Sequence, residues 1–165
     1  MTSAELLAEV SKVFPHVEKP KGLELSFHKD ACSLCQYLRR DLQAFSGREL
    51  PARGLRIIYN EMSCLSAAGW RWALPSYLRR CLAATGTYDD YETEFLIYNL
   101  GPKSEHQAET IQRLADLNDE QIACLVHFLG WCAVHPHWSD YCPDSIARAQ
   151  SFLGTLRPNR SSKGG

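Results

Sequence analysis

An all-α fold is what this chain predicts: one compact domain of six to eight helices around a central apolar helix. Three observations carry that expectation. Apolar residues recur at helical rather than alternating spacing, cap and stop residues flank the apolar runs, and no two strand-like runs pair convincingly. The 165 residues suit a single ordinary domain, and 45% hydrophobic with 22% charged residues is the balance of a globular protein.

The first helix is expected over Ala4–Phe14, capped by Thr2 or Ser3 and stopped by Pro15, with Leu6, Leu7, Val10, Val13 and Phe14 inward. A loop marked by Pro15, Pro20 and Gly22 follows, and Leu23 to Phe27 alternates like a short extended piece. Asp30 to Phe45 reads as a second helix, closed by Gly47. Pro51 opens a short segment through Met62, helical by pattern, with a strand as the alternative because Gly54 and Ile57-Ile58 weaken a helix.

The longest apolar run, 65–82, holds two of the four tryptophans. Ser66 can cap it, and Pro75 is expected to kink it or divide it. A helix from Asp89 to Leu100, with Tyr91, Phe95, Leu96 and Tyr98 apolar, ends at Gly101-Pro102. A short polar helix spans Glu105–Leu114. Asn118-Asp-Glu-Gln121 is a capping-box start for the apolar helix 121–133, which is expected to be buried with 65–82 at the centre of the fold. His135-Pro-His137 breaks it, and Pro143 opens a last helix. The domain is placed at 1–156. The tail 157–165 holds Pro, Ser, Gly and basic residues with nothing apolar to bury, and is expected to be disordered.

A formal net charge of -1 argues against a general nucleic-acid surface. Glu5, Glu9 and Lys12 interrupt any signal-peptide core, and no apolar run approaches the roughly 20 residues of a membrane span. The expected compartment is the cytoplasm. Seven cysteines then read as reduced thiols, with Cys64, Cys81 and Cys124 as small hydrophobes.

Two groups have the chemistry of a metal site. His28, Cys32 and Cys35 stand at i, i+4 and i+7, one face of a helix that begins early enough, and imidazole and thiolate are the ligands zinc prefers. A fourth ligand has to come from elsewhere. Cys132, His135, His137 and Cys142 form the rival cluster. The Cys32-Ser-Leu-Cys35 motif also suits a redox site, but the strand that normally precedes one is lacking. In both clusters the plain alternative is buried thiols with capping or surface histidines.

The segment Tyr88, Asp89, Asp90, Tyr91, Glu92 and Glu94 carries acids and tyrosines without a base. Acids there favour the positive end of a helix, and they also suit a contact face for a basic partner. No G-x-G-x-x-G, P-loop, G-x-S-x-G or H-E-x-x-H occurs. The function expected is therefore non-enzymatic protein binding, as in an immunity protein that neutralises a co-encoded basic toxin. The alternative is a small metal-dependent or hydrolytic enzyme with a site gathered from distant helices.

The order of features resembles an uncharacterised bacterial family, a domain of unknown function. The resemblance rests on Phe14-Pro15, Lys19-Pro-Lys-Gly22, His28 with Cys32 and Cys35, and Gly47. To these it adds the Arg71-Trp-x-Leu-Pro-x-Tyr-Leu78 core and the helix entry at 117–121. It covers most of 4–130 and implies a small helical bacterial protein, without catalytic residues.

Overall fold

In the computed structural model, residues 1–83 and 91–161 are described, with side chains through Leu156. Among them are nine α-helices and no strand. They are α1 (Ser3–Val13), α2 (Ser33–Asp41), α3 (Ala52–Ile58), α4 (Ala67–Ala83), α5 (Tyr91–Leu100), α6 (Gln107–Arg113), α7 (Asp119–Val134), α8 (Trp138–Tyr141) and α9 (Pro143–Ser161). The all-α expectation holds; one more helix appears than expected because the single turn α8 forms between the 132–137 break and Pro143.

Local signals fixed several ends. Thr2 and Glu5 form a reciprocal capping box on α1, and Asn118 and Gln121 do the same on α7, with bonds of 2.9 and 3.0 Å. Ser66 accepts from the Gly69 N–H at 3.0 Å and so starts α4. Pro75 lies inside α4 without dividing it, and the Arg79 side chain donates to the Pro75 carbonyl at 2.7 Å. The 52–58 segment is helical, not extended. α9 continues through 157–161, where the sequence places a disordered tail; residues 162–165 lie outside the described residues.

α1 packs on both α4 and α7, and α9 covers α7 and α5. Trp70, Trp72, Tyr77, Phe14 and Phe128 are the largest fully buried side chains among the described residues. The two indoles are also hydrogen-bonded: Trp70 Nε1 donates to the Met62 carbonyl at 2.9 Å and Trp72 Nε1 to the Gly47 carbonyl at 3.0 Å. Each tryptophan thereby ties a preceding loop to α4.

The loop that matters most lies between α1 and α2. Gly22 takes φ 55°, a left-handed conformation open to glycine, and turns the chain into a 3-10 segment rather than the extended piece expected at 23–27. Beyond it Ser26 and Leu65 form an isolated antiparallel bridge, with Phe27 N–H to Cys64 O at 2.8 Å and Ser66 N–H to Leu25 O at 3.0 Å. Gly69 makes room for this pairing, because a Cβ there would lie 2.5 Å from the Leu25 oxygen.

Candidate metal centre

α2 begins at Ser33 with Cys32 as its N-cap, three residues later than the sequence suggests. His28 is therefore not on the helix, and the i, i+4, i+7 argument fails as a helical argument. The loop does the work instead. Their potential ligand atoms all lie within 4.8 Å of one another in His28, Cys32 and Cys35. His28 Nδ1 is 3.9 Å from Cys35 Sγ.

Three supports hold the loop in this shape. Arg39 on α2 reaches back with Nη1 to Ser26 Oγ and to the Lys29 carbonyl at 3.2 Å. Lys29 Nζ donates to the Leu23 and Ser26 carbonyls at 2.8 and 3.1 Å. Phe27 meets the His28 ring edge-on at 5.0 Å, and the Arg113 guanidinium lies over Phe27 at 4.2 Å. Arg113 is itself buried and fixed by Ser63 O at 2.9 Å and Glu109 at 3.2 Å. The imidazole thus sits on a stack founded in α6.

The two thiols of the Cys-x-x-Cys differ. Cys32 is half-buried, and its sulfur accepts from the Cys35 N–H, its side chain and the Leu34 N–H. These bonds, with Arg39 nearby, hold its pKa below the usual value. Cys35 is fully buried and its pKa is raised, chiefly by loss of water, although the His28 N–H donates to it. Backbone N–H groups aimed at sulfur are the outer support that a thiolate ligand requires.

Cys64 is buried in the core, as its apolar neighbours predict, and it also borders this group. The Ser26–Leu65 bridge brings Cys64 to this cluster across a long stretch of chain. Its thiol hydrogen-bonds to Cys35, and Cys35 Sγ lies 3.8 Å from the Cys64 carbonyl. Burial first, then Cys35 and Glu61, push the Cys64 thiol up to about 12. A cleft of about 630 Å3 opens beside the group; His28, Cys32 and Cys64 line it, together with Lys103, His106 and Arg113.

The rival cluster does not converge. Cys132 and Cys142 are buried, whereas the His137 ring stacks on Tyr141 at 5.4 Å and the His135 ring lies 4.7 Å from Trp131. Among the described residues His28, Cys32 and Cys35 are the metal-competent group.

The acidic segment is rearranged. Tyr88, Asp89 and Asp90 lie outside the described residues. Glu92 does not belong to an outer face: it is buried in α5 and paired with Arg56 at 3.3 Å. The reason is rotational. α5 buries Glu92, Thr93, Leu96, Ile97 and Leu100, which turns Tyr91 outward, as a contact face needs, and with it Tyr98, although both count among the apolar positions of the helix. Tyr91, Tyr98 and Tyr141 are 42%, 39% and 49% exposed, and Glu94 accepts from the hydroxyl of Tyr141 at 3.2 Å and from that of Tyr98. The exposed face is tyrosine-rich, with Glu94 between Tyr98 and Tyr141. No helix among the described residues is long and apolar enough to cross a membrane.

No curated protein and no solved structure shows significant similarity to the chain. A family of unknown function, DUF6714, matches residues 2–140, a span that takes in the metal-competent loop, α4 and the capped start of α7, and the chain belongs to that family.

Proposed function

We propose that this is a zinc-binding protein, with the metal held by His28, Cys32 and Cys35 at the edge of the 630 Å3 cleft. The observation that carries the reading is the convergence of three ligand atoms within 4.8 Å, from a loop and a helix start that other side chains buttress. Nitrogen and two sulfurs are a borderline-soft donor set that suits zinc and disfavours magnesium or calcium. Protein purified without chelator is expected to carry about one equivalent of zinc per chain. His28→Ala is expected to lose it, and zinc is expected to shield Cys32 and Cys35 from alkylation. Elemental analysis giving under a tenth of an equivalent, with no uptake from added zinc, would end the reading.

A second reading, protein binding, is supported by the tyrosine face around Glu94. Tyrosine offers large, amphipathic contact area with little side-chain freedom to lose, and the Glu94 carboxylate suits a basic partner. In its sharper form this is immunity against a co-encoded toxin in a bacterial cytoplasm. Tyr91→Ala, Tyr98→Ala and Tyr141→Ala together are expected to weaken capture of such a toxin at least tenfold while the melting temperature barely moves. Full protection of toxin-expressing cells by the folded triple variant would remove this face from the argument.

A further inference from the structure

We infer that Cys64 is the fourth ligand of this zinc site, so that the centre is a closed Cys3His structural site with no open position for catalysis. The inference rests on the zinc reading above and deepens it. Four zinc-type side chains then come from three separate places: the loop (His28), the start of α2 (Cys32 and Cys35) and the turn before α4 (Cys64). Structural zinc takes four protein ligands in a tetrahedron, and a three-ligand site keeps water in the fourth place.

Closure asks for a side-chain movement, because the Cys64 sulfur stands outside the group of ligand atoms that meet within 4.8 Å, but Cys64 is held next to that group. The Cys64 thiol is hydrogen-bonded to Cys35, the innermost of the three, and the backbone around it is pinned by the Phe27 N–H to Cys64 O bond of 2.8 Å. Cys64 also borders the cleft alongside His28 and Cys32. Its side chain hydrogen-bonds to Glu61 Oε2 at 3.6 Å. On binding, the Cys32, Cys35 and Cys64 thiols release their protons to solvent, and Cys64 exchanges its contact with Glu61 for the metal. Three thiolates and one imidazole around Zn2+ leave one net negative charge. Arg39, Lys29 and Arg113, all engaged with the surrounding backbone, are placed to offset it.

A closed site also explains why a buried thiol stands where the bridge joins the 22–32 loop to the turn before α4. Zinc there cross-links three segments that already meet in the core and through one β-bridge. The cleft beside it is then a space shaped by the metal, in which the metal itself touches no ligand.

The test is cobalt substitution in the full chain. Co2+ in the wild-type protein is expected to give the visible bands of a tetrahedral site and a sulfur-to-metal charge-transfer band of three-thiolate strength. Cys64→Ser is expected to cut that band by about one third and to weaken zinc at least tenfold. Should Cys64→Ser fail to fold, Cys64→His restores a fourth ligand and is expected to bind one equivalent with the same reduced band. An unchanged band and affinity in Cys64→Ser, or a two-thiolate band in the wild type, would overturn the inference while the zinc reading stands. No cobalt or zinc uptake by the wild type would overturn both. Cys124→Ser, remote from the loop, is expected to leave the spectrum as it is.

Discussion

Removing zinc with a strong chelator is expected to lower the melting temperature by roughly 10 °C. Binding to the folded state alone adds about 4 kcal/mol when free metal is a thousandfold above its dissociation constant. For a domain of this size each kcal/mol is worth about 2–4 °C. The loss is expected to start locally, in the 22–32 loop and α2. The first of these has few buried side chains of its own: His28, Lys29 and Asp30 are exposed, and the loop's order comes from Arg39, Lys29 and the Ser26–Leu65 bridge. Hydrogen exchange at the Phe27 and Ser66 amides reports that opening directly, since both bonds cross between the loop and the turn before α4. Scanning fluorimetry with and without chelator checks the magnitude, and His28→Ala is expected to show no chelator effect. An identical transition in both conditions, with protected amides unchanged, would mean that no stabilising metal is present.

What the sequence made legible was local. The Asn118–Gln121 box needs four consecutive residues, and it starts α7 where it is read. The ligand types at 28, 32 and 35 were also legible, although for a reason the fold does not use: a loop bends His28 toward Cys35, where the spacing suggested one helix face. Cys64 was hidden because it joins the cluster through a pairing between residues 26 and 65, and nothing near position 64 announces that partner. The alternation at 23–27 was the one available hint, and it marked the segment that makes the bridge. Glu92 was misplaced for a different reason. A helix with apolar residues on most sides can be rotated onto its neighbours in more than one way, and in the rotation that buries Leu96, Ile97 and Leu100, Glu92 meets Arg56 of α3. That contact has a side-chain logic no linear pattern displays.

Alkali is expected to unfold the protein cooperatively between about pH 9 and 12, with buried thiols as a main cause. Cys124 is fully buried, and burial, followed by the charge of Glu9, raises its pKa from 9.0 to about 12. Burial likewise lifts Cys142 to about 11 and holds Cys132 well above its usual value. In the unfolded chain these thiols lose their protons near pH 9, while the folded chain keeps them. The unfolded state therefore binds fewer protons over this interval, and stability falls as pH rises. Their contribution is complete below pH 9 and is lost as pH climbs through the folded values. Three units at Cys124 correspond to about 4 kcal/mol at most. With Cys142 and Cys132 acting in the same direction, the sum is comparable to the whole stability of an ordinary domain, about 5–15 kcal/mol. Cys124→Ala isolates one share of it. The variant is expected to be less stable at pH 8, because a buried sulfur is gone, and to regain about 3 kcal/mol relative to the wild type by pH 11. Urea unfolding at both pH values measures this directly. Parallel pH profiles for the two proteins would show that Cys124 is not among the groups that alkali attacks.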